Sequence, residues 1–372
     1  MGVHVMVTSN GSTSDDLETA QLIALASKIG SPVTERTLEF WRHQGLLPHP
    51  ERTGHRGKRP VWTYRPETAD QLRALLDLRR HIRDPNVLRA ALWYDGYQIE
   101  TARVRISMSK YLQQLRDDFE RELDKQKETG DDPAARWLAI QAVARVLAGR
   151  RTKELPRLNR QALSQRSSGI ALSLGLLFGN EEAMRHLEAD APAVERLIGL
   201  DRGRRFRPSG VEPWLVAPPE EGLASFAQVG SIERLITVVI DATDQELQVA
   251  RNLARTFLGG ITAFSRIADA IEGRDNASGM AGIRVFENDP HASLIVVPLF
   301  LSILSSSELA QNLGQVIEAL QKNVLPVELR ARELAAMSEE ERNGQLQNLT
   351  HLPFMEQIRI KRLLDEFSDK SE

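Results

Sequence analysis

The sequence predicts a mainly α-helical chain, in which one small mixed unit precedes a large all-helical region. Three observations predict it. Between Leu17 and Leu92, helix start and stop signals follow one another at short intervals. A single basic stretch with glycines and strand-forming residues, Arg52 to Arg65, interrupts them. Beyond Ile99, apolar residues recur three or four apart almost to the end of the chain, the spacing of one helical face.

The elements follow in order. "TSNGSTSDD" (Thr8 to Asp16) is small and polar, and residues 1–16 read as a disordered tail. In "DLETAQLIALASKIG", Leu22, Ile23, Leu25, Ala26 and Ile29 form one face of a short helix closed by Gly30. Ser31-Pro32-Val33 is a tight connection. Thr34 stands where an N-cap belongs, since its hydroxyl can accept from a free amide of the next turn. Val33 and Leu38 make a hydrophobic staple across that cap, so a second helix starts at Glu35. Gly45 suits the residue just past its end, and Pro48 forbids continuation. Two short helices joined by such a turn are the helix-turn-helix pattern. Leu38 and Trp41 point to the core, which leaves Glu35, Arg36, Glu39, Phe40, Arg42 and His43 facing outward.

"ERTGHRGKRPVWTYRPE" then carries five basic residues, Arg52, Arg56, Lys58, Arg59 and Arg65, with no acid between the first and the last. Glycines at 54 and 57 suit a hairpin tip, and "PVWTY" suits a strand, so the stretch reads as a basic β-wing. "RPETADQLRALLDLRR" opens a third helix, with Leu72, Leu75, Leu76 and Leu78 toward the core. "DPN" at Asp84 opens a fourth, which ends near "YDGY". Ile99 to Lys127 reads as one charged helix with Val104, Met108, Tyr111, Leu115, Phe119 and Leu123 on one face; "KETGDDP" breaks it. Helices follow almost throughout. "RGRRFRPSGVEPWLVAPPEEG" (Arg202 to Gly222) carries four prolines and reads as a linker. The stretch from Glu233 to Gly273 reads as one or two long helices broken at Gly259-Gly260, with "LITVVI" also compatible with a strand. "GIRVFENDPHASLIVVPLFL" is open in the same way, with helix preferred. "LPVELR" and "HLPFMEQ" read as breaks in the last seventy residues. There is no repeat of fixed period.

The fold class is therefore mainly α: an N-terminal winged helix-turn-helix followed by a large all-helical region. The domains expected are a tail at 1–16, the winged unit at 17–92, a connecting or dimerisation helix at 99–128, and a helical effector or interaction domain at 134–372 with a candidate division near 201–230.

Composition narrows the function. The 372 residues include no cysteine, which excludes disulfides, thiolate metal sites and thiol redox sensing, and weakly favours a reducing, cytoplasmic setting. Net charge is −3, so any nucleic-acid site has to be a local patch. No apolar run reaches the roughly 20 residues of a membrane span; "SLIVVPLFLSIL" contains Pro298 and reads as buried core. Only nine of the 48 basic residues are lysine, a bias that fits a high-GC bacterial genome. There is no GxxxxGK[ST], HExxH, GxSxG or strand–GxGxxG–helix unit, so no catalytic residue and no cofactor is expected. His43, His49 and His55 are six apart, wider than a metal site's spacing, and read as surface histidines.

In a helix-turn-helix the second helix lays its first turn against base edges. Arg36 is the best base-reading candidate, because a guanidinium can pair with O6 and N7 of guanine. Thr37, Phe40 and Arg42 accompany it on the helix. Arg52, Arg56, Lys58, Arg59, Tyr64 and Arg65 are placed to clamp phosphates from the wing.

At this point a family resemblance enters. Arg36-Thr37-Leu38, Gly45-Leu46-Leu47-Pro48, Tyr64, and Asp70 with Leu72 match, in order and spacing, the N-terminal domain of the MerR family of bacterial transcription regulators. The resemblance covers about Leu17 to Arg80. The chain departs from the pattern at Glu39, where the family usually has a basic residue, at Phe40-Trp41, where two tyrosines are usual, and at Trp62, where an arginine is frequent; its wing is also longer. The resemblance implies a homodimer on a palindromic double-stranded DNA operator. Absence of cysteine leaves a small organic ligand or a protein partner as effector, and no membrane partner is expected. Two other readings stay open: a protein-interaction scaffold whose winged domain no longer binds DNA, and a ligand-binding helical domain in which the DNA module is secondary.

Overall fold

The computed structural model describes residues 17–56, 59–126, 132–149, 160–198, 219–272, 289–335, 337–338, 341 and 360. The expected tail, the tip residues Gly57 and Lys58, most of the proline-bearing stretch and the "HLPFMEQ" break lie outside them. The fold is mainly helical. The chain divides into two compact units, Met1–Val104 and Arg105–Glu372.

In the first unit, helices begin where side chains replace missing backbone partners. Helix α1 (Thr19–Lys28) opens on a capping box between Glu18 and Gln21, and Gly30 closes it at φ 76°. Helix α2 (Glu35–His43) opens on Thr34, whose hydroxyl accepts from the Thr37 amide at 3.2 Å; such a cap is worth about 1 kcal/mol. Gly45 takes φ 66°, the left-handed conformation that turns the chain out of the helix. Strands β1 (Glu51–Arg56) and β2 (Arg59–Thr63) pair antiparallel, Glu51 opposite Thr63 and Arg52 opposite Trp62, with a register shift between Arg52 and Gly54. Tyr64 then exchanges both backbone bonds with Leu17 at 2.8 Å, fastening the hairpin to the start of α1. Helix α3 (Glu67–Arg79) follows, then α4 (Pro85–Asp95), capped by Asp84 and closed by Gly96 at φ 101°. The boundary between the units falls inside α5 (Thr101–Gln126).

The core of this unit is built from Leu22, Leu38, Leu46, Leu72, Leu75, Leu88 and Leu92, none more than 1% exposed. Burial of each contributes roughly 1.5–3 kcal/mol. Trp41 closes one side with the Arg79 guanidinium 5.2 Å above its ring. Leu78 is only half buried. The inner face of α3 is instead Thr68, Gln71, Leu72, Leu75 and Leu76, and Gln71 is tolerated there because its amide donates to the Leu46 carbonyl at 2.9 Å.

The second unit is helical throughout its described residues: the remainder of α5, then α6 (Pro133–Gly149), α7 (Arg160–Leu177), α8 (Glu181–Arg185), α9 (Leu187–Ile198), α10 (Pro219–Val229), α11 (Ile232–Asp241), α12 (Asp244–Glu272), α13 (Ser293–Leu304), α14 (Ser307–Asn323) and α15 (Leu325–Ala335). Met108, Leu112, Phe119 and Leu123 are buried along α5, while Tyr111 and Leu115 are half buried. Phe119 stacks on Phe178 with centroids 3.7 Å apart. Helix α7 packs between α6 and α9, and α12 packs on α13 and α14. Arg136 holds Glu120 through two bonds, at 2.5 and 2.9 Å, tying α6 to α5; that hydrogen bonding raises the arginine's pKa further.

One reading of this region needs correction, and one open alternative closes. "LITVVI" is helical, the body of α11. The chain does not break at Gly259-Gly260: α12 runs through both, and a Cβ on Gly260 would stand 2.9 Å from the Leu320 side chain, so that glycine serves close helix packing. The break falls at Ala242, whose extended backbone ends α11. Thr243 and Glu246 restart the helix with a reciprocal capping pair: the Thr243 amide donates to the Glu246 carboxylate at 2.7 Å and the Glu246 amide to the Thr243 hydroxyl at 3.2 Å. "LPVELR" does mark a break: α14 ends at Asn323 and α15 begins at Leu325, with Pro326 in its first turn, where a missing N–H costs nothing. "SLIVVPLFLSIL" is helix α13, with Pro298 buried inside it. Among the described residues no single helix is long and apolar enough to cross a membrane.

Candidate functional site

Helix α2 has two unlike faces because its apolar residues are three apart. Leu38 and Trp41, 0% and 3% exposed, turn inward. Glu35, Arg36, Glu39, Phe40 and His43 are exposed, and Phe40, at 54%, lies open to solvent. Arg36 has no ion pair among the described residues and projects from the first turn. Thr37 is half buried, and its hydroxyl lies 2.9 Å from that of Thr34, so it completes the cap.

Arg42 is half buried and donates to the Tyr64 hydroxyl at 2.5 Å. Tyr64 is itself 1% exposed. It belongs to the core, and a direct phosphate contact from it does not fit that burial. Arg42 and Tyr64 together fasten α2 to the end of the hairpin.

The far end of α2 is held by two further arginines. Arg103 donates to the His43 carbonyl at 2.7 Å and Arg89 to the Gln44 carbonyl at 2.8 Å. Cations at a helix C-terminus satisfy carbonyls that lack intrahelical partners and oppose the negative end of the helix dipole. Burial, and then the neighbouring Arg103 charge, lower the Arg89 pKa; an arginine stays charged regardless. Gly45 is part of this clamp, since a Cβ there would come 2.7 Å from the Arg103 side chain.

On the hairpin, Arg52 and Trp62 stand opposite each other and so share a face. Both are exposed, Trp62 at 50%. Arg52 also bonds to His55. The other face is closed by the bond between Thr63 and Thr53, 3.2 Å, with Thr63 buried. Arg65 is not a free cation: it pairs with Glu51 at 2.8 Å, both side chains being about three-fifths exposed. Arg56 and Arg59 pair through their backbones at the end of the ladder, and their side chains, like Lys58, lie outside the described residues.

The structure thus gathers Arg36 and Phe40 on one exposed helix face and Arg52 and Trp62 on one hairpin face. It assigns Arg42, Tyr64 and Thr37 to holding the helix, and Arg65 to an ion pair. Sequence reasoning missed Glu51, Arg89 and Arg103. The first lay one residue outside the basic window, and hairpin pairing is what brings it to Arg65. The other two act from distant helices, which no local pattern reveals. His43 lies 4.0 Å from Glu39. Among the described residues no group of three or more histidines and carboxylates could hold a metal ion. What the surface offers is hydrogen-bond donors and open aromatic rings. Comparison of the chain with family models, with curated proteins and with solved structures finds no match.

Proposed function

We propose that the chain is a MerR-like, sequence-specific DNA-binding transcription regulator, cytoplasmic and homodimeric, whose first unit is a winged helix-turn-helix. The observation that carries this reading is the division of α2: Leu38 and Trp41 are locked inward while Arg36 and Phe40 stand open on the first turns. Those are the turns such a motif lays against base edges. Arg36 reads the base, and Phe40 offers apolar contact beside it. Arg52 and Trp62 meet the sugar–phosphate backbone from the hairpin, with Arg56, Lys58 and Arg59 adding charge there. Arg42, Arg89 and Arg103 fix the helix that does the reading. The helical unit takes dimerisation and effector input, with a small organic molecule or a protein as effector and α5 as the candidate dimer element.

One observation favours a second reading, a protein-interaction module. Glu35 and Glu39 share the exposed face with Arg36, and Glu51 neutralises Arg65, so the local positive charge is modest.

Selection of binding sites from random duplex DNA, repeated at two salt concentrations, tests the choice. Enrichment of a palindrome, with affinity and salt slope both reduced in a Lys58→Ala/Arg59→Ala variant, is the expected result. Absence of any enriched sequence, with affinity in the non-specific range, would favour the interaction module.

A further inference from the structure

Helix α6 is apolar on every side. Its 17 residues carry two charges, Arg136 and Arg145, and Arg136 is held by Glu120. A helix apolar all round is ordinarily buried all round. The inner face of α6 obeys, with Trp137, Ile140, Val143 and Ala144 buried. The outer face does not. Among the described residues the two most exposed large apolar side chains are Leu138, at 62%, and Val146, at 58%, and both stand on α6. At 3.6 residues per turn, Ala134, Ala135, Leu138, Ala142, Arg145 and Val146 fall within an arc of about 120°. Ala134 and Arg145 are exposed, and Ala135 and Ala142 are half buried.

The chemistry of this face limits what covers it. It carries one charge, so an acidic or basic partner finds almost nothing to pair with, and an anionic membrane surface lacks its usual row of cations. Its side-chain sizes fit a copy of itself. Bulky and small residues alternate along it. In a two-fold contact, residue i meets residue j and j meets i. An antiparallel copy, centred between Leu138 and Ala142, sets each Leu138 over Ala142 of the second copy and each Val146 over Ala135 of the second copy. A parallel copy would set Leu138 on Leu138 and leave the alanines facing a gap. In the antiparallel arrangement the two Arg145 side chains sit at opposite ends of the contact. They are about 15 Å apart along the axis, beyond the roughly 8–10 Å over which exposed charges act at ordinary ionic strength.

Helix α5 offers no comparable face. Its buried side is already filled by Met108, Leu112, Phe119 and Leu123. Its exposed side carries Lys110, Asp117, Asp118, Arg121, Asp124 and Lys125, with ion pairs from Arg116 to Asp117, Arg121 to Asp118 and Lys125 to Glu122. That is the surface of a solvated helix.

We propose that two copies of the chain meet through the outer face of α6, antiparallel across a two-fold axis. The inference deepens the homodimer reading, moves the contact from α5 to α6, and does not depend on DNA binding. A face about 25 Å long, doubled and with its rim, buries on the order of 1,000 Å², near the floor for a specific interface, so the dimer is a weak one.

The test uses the full chain without DNA, followed by sedimentation velocity from about 1 to about 100 µM, where a contact of that size dissociates. The chain should pass from monomer to dimer. Leu138→Glu and Val146→Glu, both at open positions, should each weaken association at least about tenfold with the far-UV circular dichroism unchanged. Ile106→Glu, at an open apolar position of α5, should leave association as it is. Because the chain has no cysteine, orientation can be read by mixing Leu138→Cys and Ala142→Cys chains and oxidising them. Disulfides between unlike chains should outnumber those between like chains. A monomer at every concentration overturns both this proposal and the homodimer reading. A dimer that ignores both α6 glutamates, or that only Ile106→Glu dissolves, overturns the α6 contact and leaves the homodimer reading standing. A majority of like-chain disulfides overturns the antiparallel arrangement.

Discussion

Arg42 and Tyr64 are twenty-two positions apart, and the guanidinium of one donates to the hydroxyl of the other at 2.5 Å. Through that bond the base of the hairpin fixes the helix whose outer face is the candidate site. Tyr64→Phe keeps the buried ring and removes the acceptor. The expected loss is about 1–2 kcal/mol of unfolding free energy. A double-mutant cycle with Arg42→Ala, read by urea denaturation, should return a coupling of about 0.5–1 kcal/mol rather than additivity.

Gly45 meets two obstacles to any side chain. Its φ is 66°, and a Cβ would crowd the Arg103 side chain that holds the His43 carbonyl. Gly45→Ala should therefore cost about 1–2 kcal/mol. Gly30, at φ 76° with nothing within 4 Å of its virtual Cβ, is the control, with a loss of about 1 kcal/mol from backbone strain alone. Equal losses at the two positions would show that the Arg103 contact yields freely.

Arg36→Ala and Phe40→Ala each alter an exposed side chain of α2. Melting temperature should stay within experimental scatter of the parent. If the first unit reads DNA, affinity for the selected sequence falls about tenfold in Arg36→Ala, while affinity for unrelated duplex changes little.

Glu328 is 6% exposed and accepts from Arg266 and from Arg332, the latter at 2.8 Å. Removing the acid leaves two arginines facing one another in a poorly hydrated place. Glu328→Gln should destabilise the chain by roughly 3–5 kcal/mol, the usual cost of breaking a buried ion pair from one side. Denaturant titration reads it directly.

The pair that restarts α12 responds to acid. The Thr243 amide, then the Thr243 hydroxyl, hold the Glu246 carboxyl below the ordinary carboxylate range. A carboxyl whose folded-state pKa is depressed contributes its stability above the unfolded value of about 4.3, and loses it as pH falls through the folded value. The protection factors of the amides in the first turn of α12, taken relative to the intrinsic exchange rate at each pH, should therefore fall on acidification through that window. Glu246→Gln should remove the pH response.

Much of the first unit was legible because its signals are local. Thr34, Gly45, Asp84 and Gly96 each fix a helix end through their own backbone or side chain. The two-faced character of α2 followed from the spacing of Leu38 and Trp41. The helical character of the second unit was legible from periodicity, but its punctuation was misjudged. Gly259-Gly260 has the composition of a break, yet the helix runs through it and Gly260 packs closely on Leu320. Thr243-Asp244-Gln245-Glu246 carried the capping-box pattern in plain sight. The roles of Arg42, Arg65 and Tyr64 could not be read locally. Their partners, Tyr64, Glu51 and Arg42, are brought to them only by the closure of the hairpin onto α1 and α2.

Trp62 stands half exposed on the hairpin, whereas Trp41, Trp93 and Trp137 are each no more than 4% exposed. A water-soluble fluorescence quencher thus reaches the hairpin indole and is shut out from the three interior ones. With the fifth tryptophan, Trp214, replaced by phenylalanine, the hairpin carries its own optical probe. Whatever macromolecule covers that face announces its arrival as a loss of quenching, without a dye or a label being attached.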